Sequence, residues 1–153
     1  FVIGVLGTIN YLCPIEPLFA GVARLIEKDP SFSDKILIVH AGYYDKEMMT
    51  DLLAKYNLGK VVSLKGYLPR QEAIEALSEV SVLYLSVGQF VGFNILPGRI
   101  FDYLISGRPI MAVVPSKSDA ADLIRQYGRG EVFAFGDATG IGEYIEKQMN
   151  HSG

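Results

Sequence analysis

Ile36-Leu37-Ile38-Val39 and Val80-Ser81-Val82-Leu83-Tyr84-Leu85 are apolar at nearly every position rather than at every second one. A strand with one face in water alternates. A strand that is apolar throughout must be covered on both faces, which points to a parallel sheet lying between helices. Runs of this kind can be marked at Phe1–Leu6, Lys35–Ala41, Lys60–Leu64, Val80–Val87, Pro109–Val114 and Glu131–Phe135. Parallel neighbours cannot be joined by a tight turn and need a crossover, usually a helix.

Helical periodicity fills the gaps. Phe19, Val22, Ala23 and Ile26 form one apolar stripe over about residues 15–28, and Met48, Met49, Leu52, Leu53 and Tyr56 another over about 45–57. Ala73, Ile74 and Leu77 mark a shorter helix, and Ile100, Phe101, Tyr103 and Leu104 a further one. Ala121, Leu123, Ile124 and Tyr127, then Ile141, Tyr144, Ile145 and Met149, complete the series. Asp29-Pro30, Asn57, Gly59, Gly107 and Gly128 stand where helices should stop, and Ser118, followed by Asp119 and Asp122, where one should start. The expected fold class is α/β: a doubly wound, Rossmann-like, six-stranded parallel sheet with helices on both faces. Residues 150–153 are expected to be an unstructured tail.

Composition narrows the function classes. The 153 residues, 50% of them hydrophobic, suit one domain over 1–153 with a well-filled core. A net charge of −3 argues against an electrostatic nucleic-acid binder. A single cysteine, Cys13, excludes an intramolecular disulfide framework and reads as a small buried hydrophobe. No apolar run approaches the roughly 20 residues of a membrane-spanning helix. Because the sequence opens inside a strand, it is expected to be a piece of a longer chain.

In an open α/β sheet, ligands bind beyond the carboxyl ends of the strands, where strand order reverses. After the first run come Gly7 and Thr8, which allow close backbone approach to an anion or sugar. The Gly-x-Gly-x-x-Gly dinucleotide fingerprint is missing, and His40-Ala41-Gly42 supplies no acid for a ribose, so an NAD site is disfavoured. His40 reads as a packed core residue rather than a catalytic one. After the third run, Gly66, Tyr67 and Leu68 place a bend and an aromatic at the same edge, and Tyr67 either packs a planar base or covers the next helix. The segment 88–98 is Gly-rich and aromatic and ends in Pro97-Gly98, which sets a helix start whose amides favour an anion. Arg99 adds a cationic fork suited to phosphate, and Asp102, three residues on, a carboxylate suited to ribose hydroxyls. The plainer alternative is an Arg99–Asp102 surface pair.

Leu96-Pro97-Gly98-Arg99-Ile100-Phe101-Asp102-Tyr103-Leu104-Ile105-Ser106-Gly107-Arg108-Pro109-Ile110 resembles the P-x-K-x-x-E-Y-x-x-x-G-x-P signature of GT-B glycosyltransferases of group 1, the retaining family 4 type. Val62 through Pro69 and Val80 through Leu85 resemble upstream patterns of the same family. The resemblance implies a C-terminal donor-binding domain that binds a nucleotide-diphosphate sugar, with an N-terminal acceptor domain elsewhere in the full-length chain. It implies that Gly66, Tyr67 and Leu68 bind the base, that Pro97, Gly98, Arg99 and Ile100 hold the diphosphate, and that Asp102 binds ribose. It further implies that Gly7 and Thr8 lie near the phosphates or sugar, and that Asn94 stands where the family has its first motif acid. Thr8 stands where the family has an arginine.

The implied activity is hexosyl transfer to a saccharide or lipid-linked acceptor, in polysaccharide biosynthesis, with no cofactor and no obligatory metal. This stretch alone is expected to bind donor weakly and turn nothing over. No nucleic-acid partner is expected. The implied location is cytoplasmic, with the inner membrane face an option for the full-length protein. The alternatives are a sugar-nucleotide 2-epimerase-type domain of the same fold and a non-catalytic α/β nucleotide-binding module.

Overall fold

The computed structural model describes residues 1–89 and 95–152. In chain order the elements are β1 (Val2–Leu6), α1 (Glu16–Lys28), β2 (Leu37–Ala41), α2 (Lys46–Tyr56), β3 (Val62–Leu64), α3 (Arg70–Ala76), β4 (Val82–Ser86), α4 (Arg99–Ser106), β5 (Ile110–Val113), α5 (Asp119–Tyr127), β6 (Gly130–Phe133) and α6 (Ala138–Ser152). Short 3-10 turns occupy Pro30–Asp34 and Leu77–Glu79. The strands form one six-stranded parallel sheet in the order β3-β2-β1-β4-β5-β6, so strand order reverses between β1 and β4. This is the doubly wound, Rossmann-like arrangement that the apolar runs call for.

Alternate residues of the central strands feed two separate cores, as the period of two requires. Ile3 and Val5 of β1, Val82 and Tyr84 of β4, and Met111 and Val113 of β5 point to one face, where they meet Leu18, Phe19 and Val22 of α1 and Ile141 and Ile145 of α6. Leu83 and Leu85, with Ile110 and Ala112, point to the other and meet Ile100 and Tyr103 of α4 and Ile124 of α5. Burying each of the larger apolar side chains stabilises the fold by roughly 1.5–3 kcal/mol, so neither helical layer is dispensable. Gly21 of α1 faces Ile141 and Gly142 of α6, which lets these helices run close, and Lys28 pairs with Glu146 at 2.9 Å where α1 ends.

Helix ends follow the punctuation of the sequence. Asp45 caps α2 by accepting from the Met48 N–H at 2.8 Å, and Asn57 ends it in the left-handed region at φ 53°. Ser118 caps α5 by accepting from the Ala121 N–H at 3.2 Å. Gly107 and Gly128 close α4 and α5. The unstructured tail is corrected: α6 runs on to Ser152, because no glycine or proline follows Gly142 before Gly153 and the His151 ring bonds the Lys147 carbonyl at 2.7 Å. Cys13 is also corrected. It is half-buried, in the loop that Asn10 organises by accepting from the Leu12 and Cys13 N–H groups. Both sheet edges are short, three residues in β3 and four in β6. Among the described residues, no helix is long and apolar enough to cross a membrane.

Candidate functional site at the switch point

The strands β1 and β4 pair only at Ile3↔Val82 and Gly4↔Leu83 and then separate toward their carboxyl ends. The Tyr103 hydroxyl, from α4, occupies the gap: it accepts from the Leu6 N–H at 2.9 Å and donates to the Tyr84 carbonyl at 3.0 Å. Burial pushes this phenol up to about 12, so it stays a neutral donor and acceptor. Above the gap, the loop after β1 turns back over β4. Pro14 offers its carbonyl to the Tyr84 and Ser86 hydroxyls at 2.8 and 2.7 Å, and Leu12 offers its own to the Gly88 N–H at 2.8 Å.

Arg99 spans the switch point. It starts α4, after β4, yet its side chain reaches the loop after β1, donating from Nη2 to the Thr8 carbonyl at 3.1 Å. Gly7, at φ +90°, leaves the room: a Cβ there would stand 2.7 Å from the guanidinium carbon. Among the described residues no carboxylate pairs with Arg99, so its charge stands uncompensated at this edge. The plainer alternative, an Arg99–Asp102 surface pair, does not form. Asp102 instead meets Arg70 of α3 at 2.9 Å, an exposed bridge worth under about 1 kcal/mol. Gly98 begins α4 without a side-chain cap. The Ile100 and Phe101 N–H groups bond the Pro97 and Gly98 carbonyls, and no partner for the Gly98 and Arg99 N–H groups is found among the described residues. Asn94 lies outside the described residues.

Below Gly7 lies His40, the fourth residue of β2. It is fully buried, and its Nε2 sits 2.7 Å from the Gly7 carbonyl. Its role as a packed residue is as expected, but its contact with the loop was not visible in the sequence. Beside it, Gly42 at φ +145° lies against the Gly7 carbonyl and donates its N–H to the Gly66 carbonyl at 2.8 Å. This bond ties the turn Gly66–Leu68 to the same edge. Tyr67 is 62% exposed, so its bulk is not spent on covering α3; its ring stacks on Tyr43 at 5.2 Å with 19° between planes. Sequence reasoning missed Tyr43 and Gly42. Both follow β2 directly, at the edge that the strand-end rule singles out.

Burial holds the His40 imidazole below its ordinary range; the Gly7 bond opposes this, and the Arg99 charge adds to it. A neutral buried histidine costs nothing while the unfolded chain is also neutral. Below about pH 6.5 the unfolded state takes up a proton that the folded state refuses. Stability is therefore full above that value and falls as pH drops toward the folded pKa, by up to about 1.4 kcal/mol per pH unit. Urea unfolding at about pH 7.5 and about pH 5.5 checks this: the chain should lose stability across the interval by more than its His40→Leu variant does.

No family model matches this chain, and no curated protein matches it. Solved structures do. The C-terminal domain of the group 1 glycosyl transferase LpcC from Francisella tularensis is similar over 99% of this chain and 76% of that one, at 13% identity and a TM-score of 0.74. TarM from S. aureus, solved in complex with fondaparinux, α-GlcNAc-glycerol and UDP, is similar over 97% of this chain at 18% identity and a TM-score of 0.75. WaaG, a glycosyltransferase involved in lipopolysaccharide biosynthesis, is similar over 97% of this chain at 14% identity and a TM-score of 0.73. The chain spans 28% of TarM and 38% of WaaG. It has the fold of one half of a GT-B glycosyltransferase.

Proposed function

We propose, from a fold shared with the C-terminal half of GT-B glycosyltransferases, that this chain is the donor-binding half of such an enzyme and takes a nucleotide-diphosphate sugar. The observation that carries the reading is Arg99, an arginine without a carboxylate partner, held at the topological switch point. A cation there compensates a diphosphate, with the Gly98 and Arg99 N–H groups at the start of α4, which have no partner among the described residues, adding to it. The Tyr43–Tyr67 stack offers an aromatic surface to a base at the adjoining turn, with Gly66 and Leu68 giving backbone groups. Asp102 reaches ribose hydroxyls by exchanging its exposed bond to Arg70. No cofactor is called for: the sugar nucleotide is substrate, and Arg99 with backbone amides does the charge compensation that a metal would otherwise supply. In this reading a second domain of the full-length protein brings the acceptor, a saccharide or a lipid-linked sugar, and the 153 residues alone transfer nothing.

Calorimetric titration of the chain with UDP- and GDP-sugars tests the proposal. One nucleotide series should bind, and Arg99→Ala should weaken it at least about tenfold, the loss of one charge-assisted contact. Absence of binding to every nucleotide, or an Arg99→Ala variant that binds like the parent, would refute the donor site.

A further inference from the structure

We propose that His40 is a positioning residue that fixes which way the Gly7–Thr8 peptide faces, and so presents the Thr8 N–H beside Arg99 to a bound phosphate. The inference rests on the donor-binding reading and adds the device that shapes its anion site.

The Gly7 carbonyl and the Thr8 N–H belong to one planar trans amide, in which C=O and N–H point in opposite directions. The carbonyl points down to His40 Nε2 at 2.7 Å, so the Thr8 N–H points up, away from the core. Thr8 is exposed, and its N–H has no partner among the described residues, although its flanking N–H groups do: Gly7 donates to Ala41 at 2.8 Å and Ile9 to Tyr43 at 2.9 Å. The Arg99 guanidinium lies over the same peptide and bonds the Thr8 carbonyl. One amide donor and one cationic fork thus face the same exposed edge.

Glycine at position 7 makes a lock necessary. It lacks the side chain that would bias the turn, and a glycine can take either peptide orientation at little cost. His40 supplies the bias. A carbonyl only accepts, so the ring nitrogen facing it must carry the proton, which leaves the imidazole as the neutral Nε2–H tautomer. Its Nδ1 is buried and has no partner among the described residues, so a second proton would find no acceptor. The groups that face the ring agree with this: Tyr44 meets it edge-on at 5.8 Å, and Arg99 is the nearby charge. Gly42 closes the side, since any Cβ there would strike the Gly7 carbonyl. A buried histidine with one satisfied and one bare nitrogen is poor packing for stability alone, and its one bond goes to the peptide that the anion would use.

Nitrogen-15 spectra of the imidazole and titrations of the whole chain with inorganic pyrophosphate and with UDP and GDP test the proposal. The imidazole should show the Nε2–H tautomer, and pyrophosphate should shift the Thr8 amide resonance downfield. His40→Leu should remain folded, lose about tenfold in affinity and lose the Thr8 shift. His40→Gln, whose terminal amide can donate to the same carbonyl, should stay within about threefold of the parent. An Nδ1–H tautomer, a leucine variant with parental affinity and Thr8 shift, or equal losses in both variants would overturn the proposal. A Thr8 response to pyrophosphate without any nucleotide binding would overturn the donor reading and keep the positioning role. Nucleotide binding that leaves the Thr8 amide unmoved would do the reverse, and silence toward every anion would overturn both.

Discussion

Replacing Gly42 with alanine is expected to cost about 3 kcal/mol of stability or more and to abolish nucleotide binding. Two effects add. At φ +145° the backbone lies where side chains are rarely tolerated, which costs of order 1–3 kcal/mol. The new Cβ would also stand 2.6 Å from the Gly7 carbonyl carbon and 2.9 Å from its Cα, and these are backbone atoms that cannot swing aside as a long side chain can. Relief requires pushing Gly7 off His40 and away from Arg99, so the relaxed variant would have a misplaced anion edge even where it folds. Urea unfolding and titration with the bound nucleotide would register the two losses separately. A variant within 1 kcal/mol of the parent, with parental affinity, would mean that the loop is not held as described.

Removing one oxygen from the core is expected to cost about 2–4 kcal/mol, in Tyr103→Phe. The ring stays and leaves no large cavity, so the loss measures the hydrogen bonds. The hydroxyl serves two backbone groups at once, the Leu6 N–H and the Tyr84 carbonyl. These belong to two strands whose own pairing ends at Gly4↔Leu83. A buried donor or acceptor left without a partner costs about 1–3 kcal/mol, more than the net worth of an ordinary bond. Chemical denaturation gives the size of the effect. Hydrogen exchange at Leu6 gives its place, since that amide should become one of the few central ones to exchange by local opening. An unchanged midpoint would show that β1 and β4 close up and pair without help.

The layered architecture was legible because it is written in local pattern. Continuous apolar runs and helical stripes are each set by residues a few positions apart, and every expected strand and helix is found. The ends differ by a residue or two, as at Lys35–Ala41 against Leu37–Ala41, because the ladder stops where the neighbouring strand stops rather than where apolar character does. The edge that would bind a ligand was legible in outline for the same reason: strand ends are visible, and ligands gather there. Its internal wiring was not. Arg99 meets Thr8 across 91 positions, His40 meets Gly7 across 33, and Asp102 finds Arg70 across 32, pairings that only the sheet order creates. The spacing of Arg99 and Asp102 put both on one helix face, which left a mutual pair as the plainer alternative to ligand binding. Once α3 lies alongside, Arg70 takes the carboxylate and Arg99 turns to the loop after β1.

The brevity of β3 and β6 bears on how the molecule associates. An exposed strand edge is a template on which another chain can add itself, and the hazard grows with the length of the unpaired row. Three and four residues give a row too short to hold a stranger's strand in register. Sideways growth into a shared sheet, and the fibrillar stacking that begins with it, are therefore disfavoured for the folded domain. A partner finds more to hold on the helices or on the loops at the strand ends, where side chains rather than a repeating backbone decide who fits.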